Sequence, residues 1–305
     1  MGYCFDDHET VSDGIKRIAL EQLDKAVQCT RPKAKNQDEA VHDTRVAFKK
    51  LRALLRLART RSNEKAFSQE NACYRDAARL LADVRDTTAT IAAFDKLIEH
   101  FSDQLARNAF ADLRMPLIKK WKEQQSQKKR ALAEVARMLT SARKRVTNWP
   151  LDHEGFSGLR RGLKCTYKRG RVCRAHVHET PNVENLHDWR KCIKDLGYQV
   201  RLLKPIWPAL LEALADELER LADYLSDDHD LALLRQTLIQ KTPEDRTQTE
   251  ALVAMIDQRR SELQIEAKRL GERIYVETPK DFVRRFQVYW RAWCTETMAD
   301  PIARS

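Results

Sequence analysis

The chain has 305 residues and carries 56 Lys and Arg against 45 Asp and Glu, a formal net charge of +11. That length fits two domains, or one domain built of two similar halves, and is enough to bury a sizeable core. With 8 Gly and 9 Pro among abundant Ala, Leu, Arg, Lys, Glu and Gln, and no run of Val, Ile, Thr and aromatics alternating with period two, the composition excludes a sheet protein and points to an all-α fold. The basic excess bears on partners: nucleic acid, an anionic membrane surface or a phosphate-rich polymer. The start, MGYCFDDHET, lacks the basic and apolar stretches of a signal peptide. No apolar run reaches the roughly 18 residues of a membrane-spanning helix. Seven Cys without a C-x-x-C pair fit a reducing compartment, so the expected location is the cytoplasm.

In chain order, Val11, Ile15, Ile18, Leu23 and Val27 give the apolar face of a helix over 11–30. A turn is expected at Pro32, then a long helix from Asp38 to Arg59. Periodic segments follow at 64–82 and 87–113, and a charged helical stretch at 117–146. Thr147-Asn148-Trp149-Pro150 breaks the pattern, which sets two helical halves, 11–149 and 150–298. The second half opens with a basic segment at 156–178. Asn182 caps a helix over 183–203. Pro205 and Pro208 make a turn, and helices are expected at 209–225, 228–240, 244–275 and 280–298.

The two halves repeat. VHDTRVAFKKLRALLRLAR at 41–59 matches LHDWRKCIKDLGYQVRLL at 186–203 with a shift of 145. His42 falls on His187, Arg45 on Arg190, Lys49 on Lys194 and Arg56 on Arg201. Arg52 meets Gly197, so one basic position is lost. LLADVRD at 80–86 matches YLSDDHD at 224–230 with a shift of 144, placing Asp83 on Asp227, Arg85 on His229 and Asp86 on Asp230. Two motifs at nearly one offset indicate a repeat architecture. On a helix, His42, Arg45, Lys49, Arg52 and Arg56 fall within a sector of roughly 80° and about 21 Å of length. Val41, Phe48, Leu51, Leu55 and Ala58 form an apolar stripe beside it. The basic stripe has no acidic i,i+4 partners within it, and like charges at that spacing repel; a bound anion would relieve the repulsion.

The H-x-x-R-x-x-x-[KR]-x-x-[RG]-x-x-x-R helix, present twice, resembles the CHAD domain family, the conserved histidine α-helical domains. The L-x-x-x-[RH]-D segments ending at Asp86 and Asp230, GLRRGLKCTYKRGR at 158–171 and LGERIYVETPKDFVRRFQVYW at 270–290 are also similar to that family. The resemblance covers residues 11–295. It implies two four-helix bundles related by a pseudo-twofold axis, and a central basic cleft that binds inorganic polyphosphate without catalysis. With polyphosphate binding as the leading expectation, association with polyphosphate or other storage granules is expected as well. Some relatives carry a triphosphate-tunnel domain on the same chain; this chain looks like a stand-alone version.

Under that resemblance Arg45, Lys49, Arg52 and Arg56 are the first phosphate ligands, with Arg190, Lys194 and Arg201 as the mirror set and Lys50 and Lys191 adding charge beside them. Arg offers a planar fork of donors and Lys a mobile point charge. For His42 and His187 two readings stand open: cationic phosphate ligands, or side chains satisfying a helix end or a buried polar group. Lys164, Tyr167, Lys168 and Arg171, beside Arg169, share one helical face; they either extend the anion site or form a charged face with a half-buried Tyr. Asp86 and Asp230 are expected to orient a basic side chain or cap a helix. The DDHD run at 227–230 and the trio Cys173, His176 and His178 lack fixed ligand spacing, so no metal or other cofactor is expected. No Walker A loop, G-x-G-x-x-G, H-E-x-x-H or G-x-S-x-G occurs. Nucleic acid is the alternative partner, since the same charges attract any phosphate backbone. An enzyme acting on polyphosphate or nucleotides is the alternative activity.

Overall fold

Helical periodicity and caps account for the architecture. In the structure, a computed structural model, residues 2–7, 9–31, 36–105, 109–151, 154–240 and 246–299 are described, the side chains of 83–85, 298 and 299 excepted. Pro32, residues 106–108 and 244–245 of the expected helices, and the side chains of Asp83 and Arg85 lie outside the described residues. Eleven α-helices run through the described residues and none of these residues is in a strand. They are α1 (Val11–Cys29), α2 (Gln37–Leu57), α3 (Glu64–Arg79), α4 (Ala82–His100), α5 (Ala111–Glu123), α6 (Gln125–Val146), α7 (Ser157–Glu179), α8 (Val183–Leu202), α9 (Pro208–Gln240), α10 (Arg246–Ile274) and α11 (Pro279–Ala299).

The two repeated helices start alike. The Asn36 side chain accepts from the backbone N–H groups of Asp38 and Glu39, and the Asn182 side chain from that of Asn185. Each cap satisfies donors that the first helical turn leaves without partners. The apolar stripe of α2 faces inward as its spacing requires: Val41, Phe48, Leu51, Leu55 and Ala58 are all buried. Each large side chain buried in this way contributes about 1.5–3 kcal/mol relative to exposure.

Three boundaries differ from expectation. Residues 209–240 form one helix instead of two, because no Gly or Pro interrupts 209–240 and the polar run at 226–230 keeps its helical geometry. The 33-residue α9 is about 50 Å long, and that length lets it serve two apolar clusters. Leu211, Leu218 and Leu225 join a large cluster, while Leu231, Leu234 and Leu238 join a smaller one with α4 and α5. The second difference is that the helix of the expected 87–113 segment, α4, ends at His100, and the third that the expected 117–146 stretch is divided at Gln124 between α5, which starts at Ala111, and α6.

The helical pattern does break at 147–150, as the sequence indicates. The large cluster nevertheless spans the break, uniting Phe48, Leu54 and Val135 with Trp189, Ile193 and Phe286. Two glycines permit the close crossings involved. A Cβ on Gly162 of α7 would stand 2.0 Å from the Leu57 carbonyl oxygen at the end of α2, and one on Gly271 of α10 would stand 2.4 Å from the Trp189 ring. At Gly162 the obstacle is backbone, so α7 can approach α2 only where no side chain intervenes. Among the described residues no helix is long and apolar enough to cross a membrane.

Candidate functional site

Helices α2, α3, α7 and α8 enclose a cleft of about 590 Å³. From α2 it is lined by Arg45, Lys49, Arg52 and Arg56, the stripe the sequence places on one face. From α8 come His187, Arg190, Lys191 and Lys194. Three further cations complete it, Arg75 and Arg79 on α3 and Arg169 on α7. The carboxylates of the wall are Asp188 and Asp195.

Asp195 organises the middle of the cleft. It is 8% exposed and accepts a hydrogen bond from Arg56 Nη1 at 2.9 Å and another from Arg169 Nη2. One carboxylate thus holds two guanidinium groups on different helices. Burial pushes the Arg56 guanidinium down from its usual range, with Asp195 opposing. For Arg169 burial also works against the charge, but Asp195 and Cys192 outweigh it and hold the group up. Among the described residues Arg52 hydrogen-bonds to no carboxylate; its Nε donates to Asn71 Oδ1 at 3.1 Å. Burial, then the neighbouring Arg56, push it down to about 10. It therefore stays cationic at neutral pH in a place where positive charge is already crowded.

The remaining cations of the lining have partners of their own. Arg45 Nη1 donates to the Ala78 carbonyl at 2.9 Å, which ties α2 to α3. Arg75 and Arg79 share Asp76 at 3.0 and 3.3 Å. On α8, Arg190 Nε donates to Ser226 Oγ at 2.8 Å, Lys191 pairs with Asp188 at 2.8 Å and Lys194 with Asp223 at 3.3 Å. The His187 ring stacks on His229 with centroids 4.4 Å apart, and its Nδ1 is buried without a hydrogen-bond partner. Burial, then His229, Lys191 and Arg190, push it down to about 4. His187 is accordingly neutral at pH 7, which separates it from the cationic reading.

Other expected site residues stand elsewhere. His42 is exposed on the second turn of α2 and Lys50 does not line the cleft, its Nζ lying 5.0 Å over the Tyr3 ring. Arg201 pairs with Glu219 and, with Gly197, faces α9 instead of the cleft. Lys164 and Lys168 are exposed on α7 but do not line the cleft. Tyr167 is buried; its hydroxyl donates to the Ile274 carbonyl at 3.0 Å and its ring stacks on Phe282 at 3.9 Å. Arg171 donates to the Glu277 carbonyl. The basic island thus reaches the cleft only through Arg169, one position off the face that spacing picked out. Asp86 is exposed, its carbonyl accepting from Thr90 Oγ1 at 2.8 Å. Asp230 Oδ1 lies 3.2 Å from His229 Nδ1. Arg75 and Arg79 belong to no repeated motif, although their spacing of four on a periodic segment is visible in the sequence. Among the described residues no group of three or more His, Cys, Asp and Glu is placed to hold a metal ion.

The family model for the CHAD domain matches residues 17–239. The crystal structure of the CHAD domain from the plant Ricinus communis aligns over 93% of this chain and 94% of its own, with a TM-score of 0.52 and 16% identity. At that identity the likeness speaks for the fold alone. No curated protein matches the chain. Because the family match spans well over half of the 305 residues, and the helical fold agrees with it, the chain belongs to the CHAD domain family.

Proposed function

We propose that this protein binds inorganic polyphosphate in the cleft between α2, α3, α7 and α8, and does so without turning it over. The observation that carries the reading is the cleft lining: ten Arg and Lys against two Asp, drawn from four helices. A polyanion threaded through the cleft would meet this positive lining at a regular spacing of charge. Seven of the ten are Arg, whose forked donors match phosphate oxygens. The association of the CHAD family with polyphosphate agrees with this reading.

The cleft is less suited to single-stranded nucleic acid. Base stacking needs aromatic faces along the basic groove, whereas Phe48, the aromatic residue of the lining other than His187, is buried in the core. The reading is of binding because both carboxylates of the wall are tied to cations, Asp188 to Lys191 and Asp195 to Arg56 and Arg169. In the cell, the proposal puts the protein at polyphosphate-rich granules in the cytoplasm.

Calorimetry with long-chain polyphosphate, orthophosphate and mixed-sequence single-stranded DNA at one physiological salt concentration tests this. The polymer engages many cations at once and should bind at least about 100-fold more tightly than orthophosphate. Equal affinities for polymer and orthophosphate would sink the polymer reading. DNA binding more tightly than polyphosphate of equal charge would transfer the cleft to nucleic acid.

A further inference from the structure

Two cysteines share the cleft wall, and the anion reading leaves them unused. Cys173 on α7 and Cys192 on α8 have their sulfurs 3.3 Å apart. Cys192 is 2% exposed, while Cys173 is partly exposed. The Arg169 Nε donates to Cys192 Sγ at 3.2 Å. We propose that this pair is an oxidant-sensitive dithiol: a peroxide entering the cleft oxidises Cys173, and Cys192 then closes a Cys173–Cys192 disulfide that ties α7 to α8.

The step balances. The Cys173 thiolate attacks one peroxide oxygen, the O–O bond breaks, and the departing hydroxide takes up a proton to leave as water. Cys173 is now a sulfenic acid. The Cys192 sulfur gives up its proton and attacks the Cys173 sulfur; the S–O bond breaks and a second water leaves. Two thiols lose two electrons in all, and one peroxide is reduced to two waters.

Geometry assigns the roles. Cys173 is the sulfur that solvent in the cleft can reach, and Cys192, buried behind it, is placed to resolve. Closing from 3.3 Å to the ~2.05 Å of a disulfide requires side-chain rotation of less than about 1 Å per sulfur. The neighbouring charge also fits. The hydrogen bond from Cys192 holds the Cys173 thiol down to about 7, with Arg169 contributing against burial. The Cys192 thiol is pushed up by the same bond and by burial. A thiolate is the attacking form, so Cys173 is in part armed at neutral pH. Burial pushes the thiols of Cys4, Cys29 and Cys294 up instead. Two sulfurs could also suit a soft metal cation, but the Arg169 guanidinium against Cys192 repels one. The proposal does not depend on what anion the cleft binds.

The test uses the full chain, reduced, freed of reductant and treated with hydrogen peroxide near pH 7.5, followed by peptide mapping. The parent should lose two thiols together and yield a Cys173–Cys192 linked peptide that dithiothreitol releases. In Cys192→Ser, Cys173 should accumulate as a sulfenic acid trapped by dimedone. In Cys173→Ser, Cys192 should stay unmodified at the same peroxide dose. A parent in which other cysteines oxidise while Cys173 and Cys192 remain unlinked overturns the proposal, and so does a Cys192 that reacts as fast in Cys173→Ser as in the parent. The map of the parent decides even where a variant folds poorly.

Discussion

Helices α2 and α8 carry one motif, yet they present it differently. Along α2 the basic stripe stays in the cleft from Arg45 to Arg56. Along α8 it leaves the cleft after Lys194; Gly197 and Arg201 turn to α9, and Asp195 takes the central place in the wall. The cause is packing. α8 is sandwiched between α7 and α9, and a Cβ at Gly197 would already lie 3.6 Å from Leu218 of α9. A cation at 197 would point into that helix and not into the cleft. The missing Arg is thus no gap in the site. Repetition in sequence sets residue types at matched positions, but the neighbours of each copy decide which of them converge. α2 supplies cations, whereas α8 supplies cations together with the carboxylate that fixes Arg56 and Arg169.

The largest expected effect breaks that comparison at α2. Arg45→Ala combined with Arg52→Ala removes two charge-assisted contacts worth about 1.5 kcal/mol or more each, so polyphosphate affinity should fall by about 100-fold. Arg190→Ala with Arg201→Ala should cost only what Arg190 contributes, about tenfold, because Arg201 is engaged with Glu219 outside the cleft. Calorimetry on variants whose circular dichroism matches the parent checks both. A larger loss from the α8 pair would reverse the assignment.

Asp195→Asn probes the carboxylate that distinguishes α8. Removing a nearly buried charge from two guanidinium groups is destabilising, by about 1–3 kcal/mol once the partial exposure of Arg169 is allowed for. Thermal melts should show a lower midpoint for the variant alone. Polyphosphate should raise that midpoint by more than it raises the parent's, since phosphate replaces the lost counter-charge. A variant as stable as the parent would show that Asp195 does not hold the two arginines.

A smaller effect concerns His187, whose partner position on α2, His42, is exposed. The folded His187 sits near 4, below its ordinary value of 6.5, so the neutral ring is favoured in the fold. That contribution is complete above pH 6.5 and is lost as pH falls towards 4. Between pH 6.5 and 4, His187→Gln should therefore lose less thermal stability than the parent. Parallel pH curves for the two proteins would remove His187 from the account.

What was legible in the sequence was local. The Asn182 cap, the 183–203 helix, the break before Pro150 and the apolar stripe of α2 each depend on residues within a few turns. The fusion of two expected helices into α9 was hidden because a polar run such as Ser226–Asp230 resembles a linker until packing on both sides holds it helical. The same distinction divides the site. The α2 stripe could be read from 3- and 4-residue spacing alone. Tyr167 could not, because its burial depends on Phe282 and on the Ile274 carbonyl more than a hundred residues later. Nor could Asp195, which in sequence dilutes a basic face and in space joins Arg56 to Arg169.

The central claim is that position in the cleft, and not net charge, determines polyphosphate binding. It is tested most directly by removing two charges in two places. Arg45→Ala/Arg52→Ala takes them from the cleft, and Lys164→Ala/Lys168→Ala takes them from the exposed face of α7. Titrated by calorimetry with the same long-chain polyphosphate at one salt concentration, the cleft variant should lose about 100-fold in affinity and the α7 variant no more than about threefold. Equal losses would mean that the polymer responds to overall charge, and would contradict the assignment of the site to this cleft.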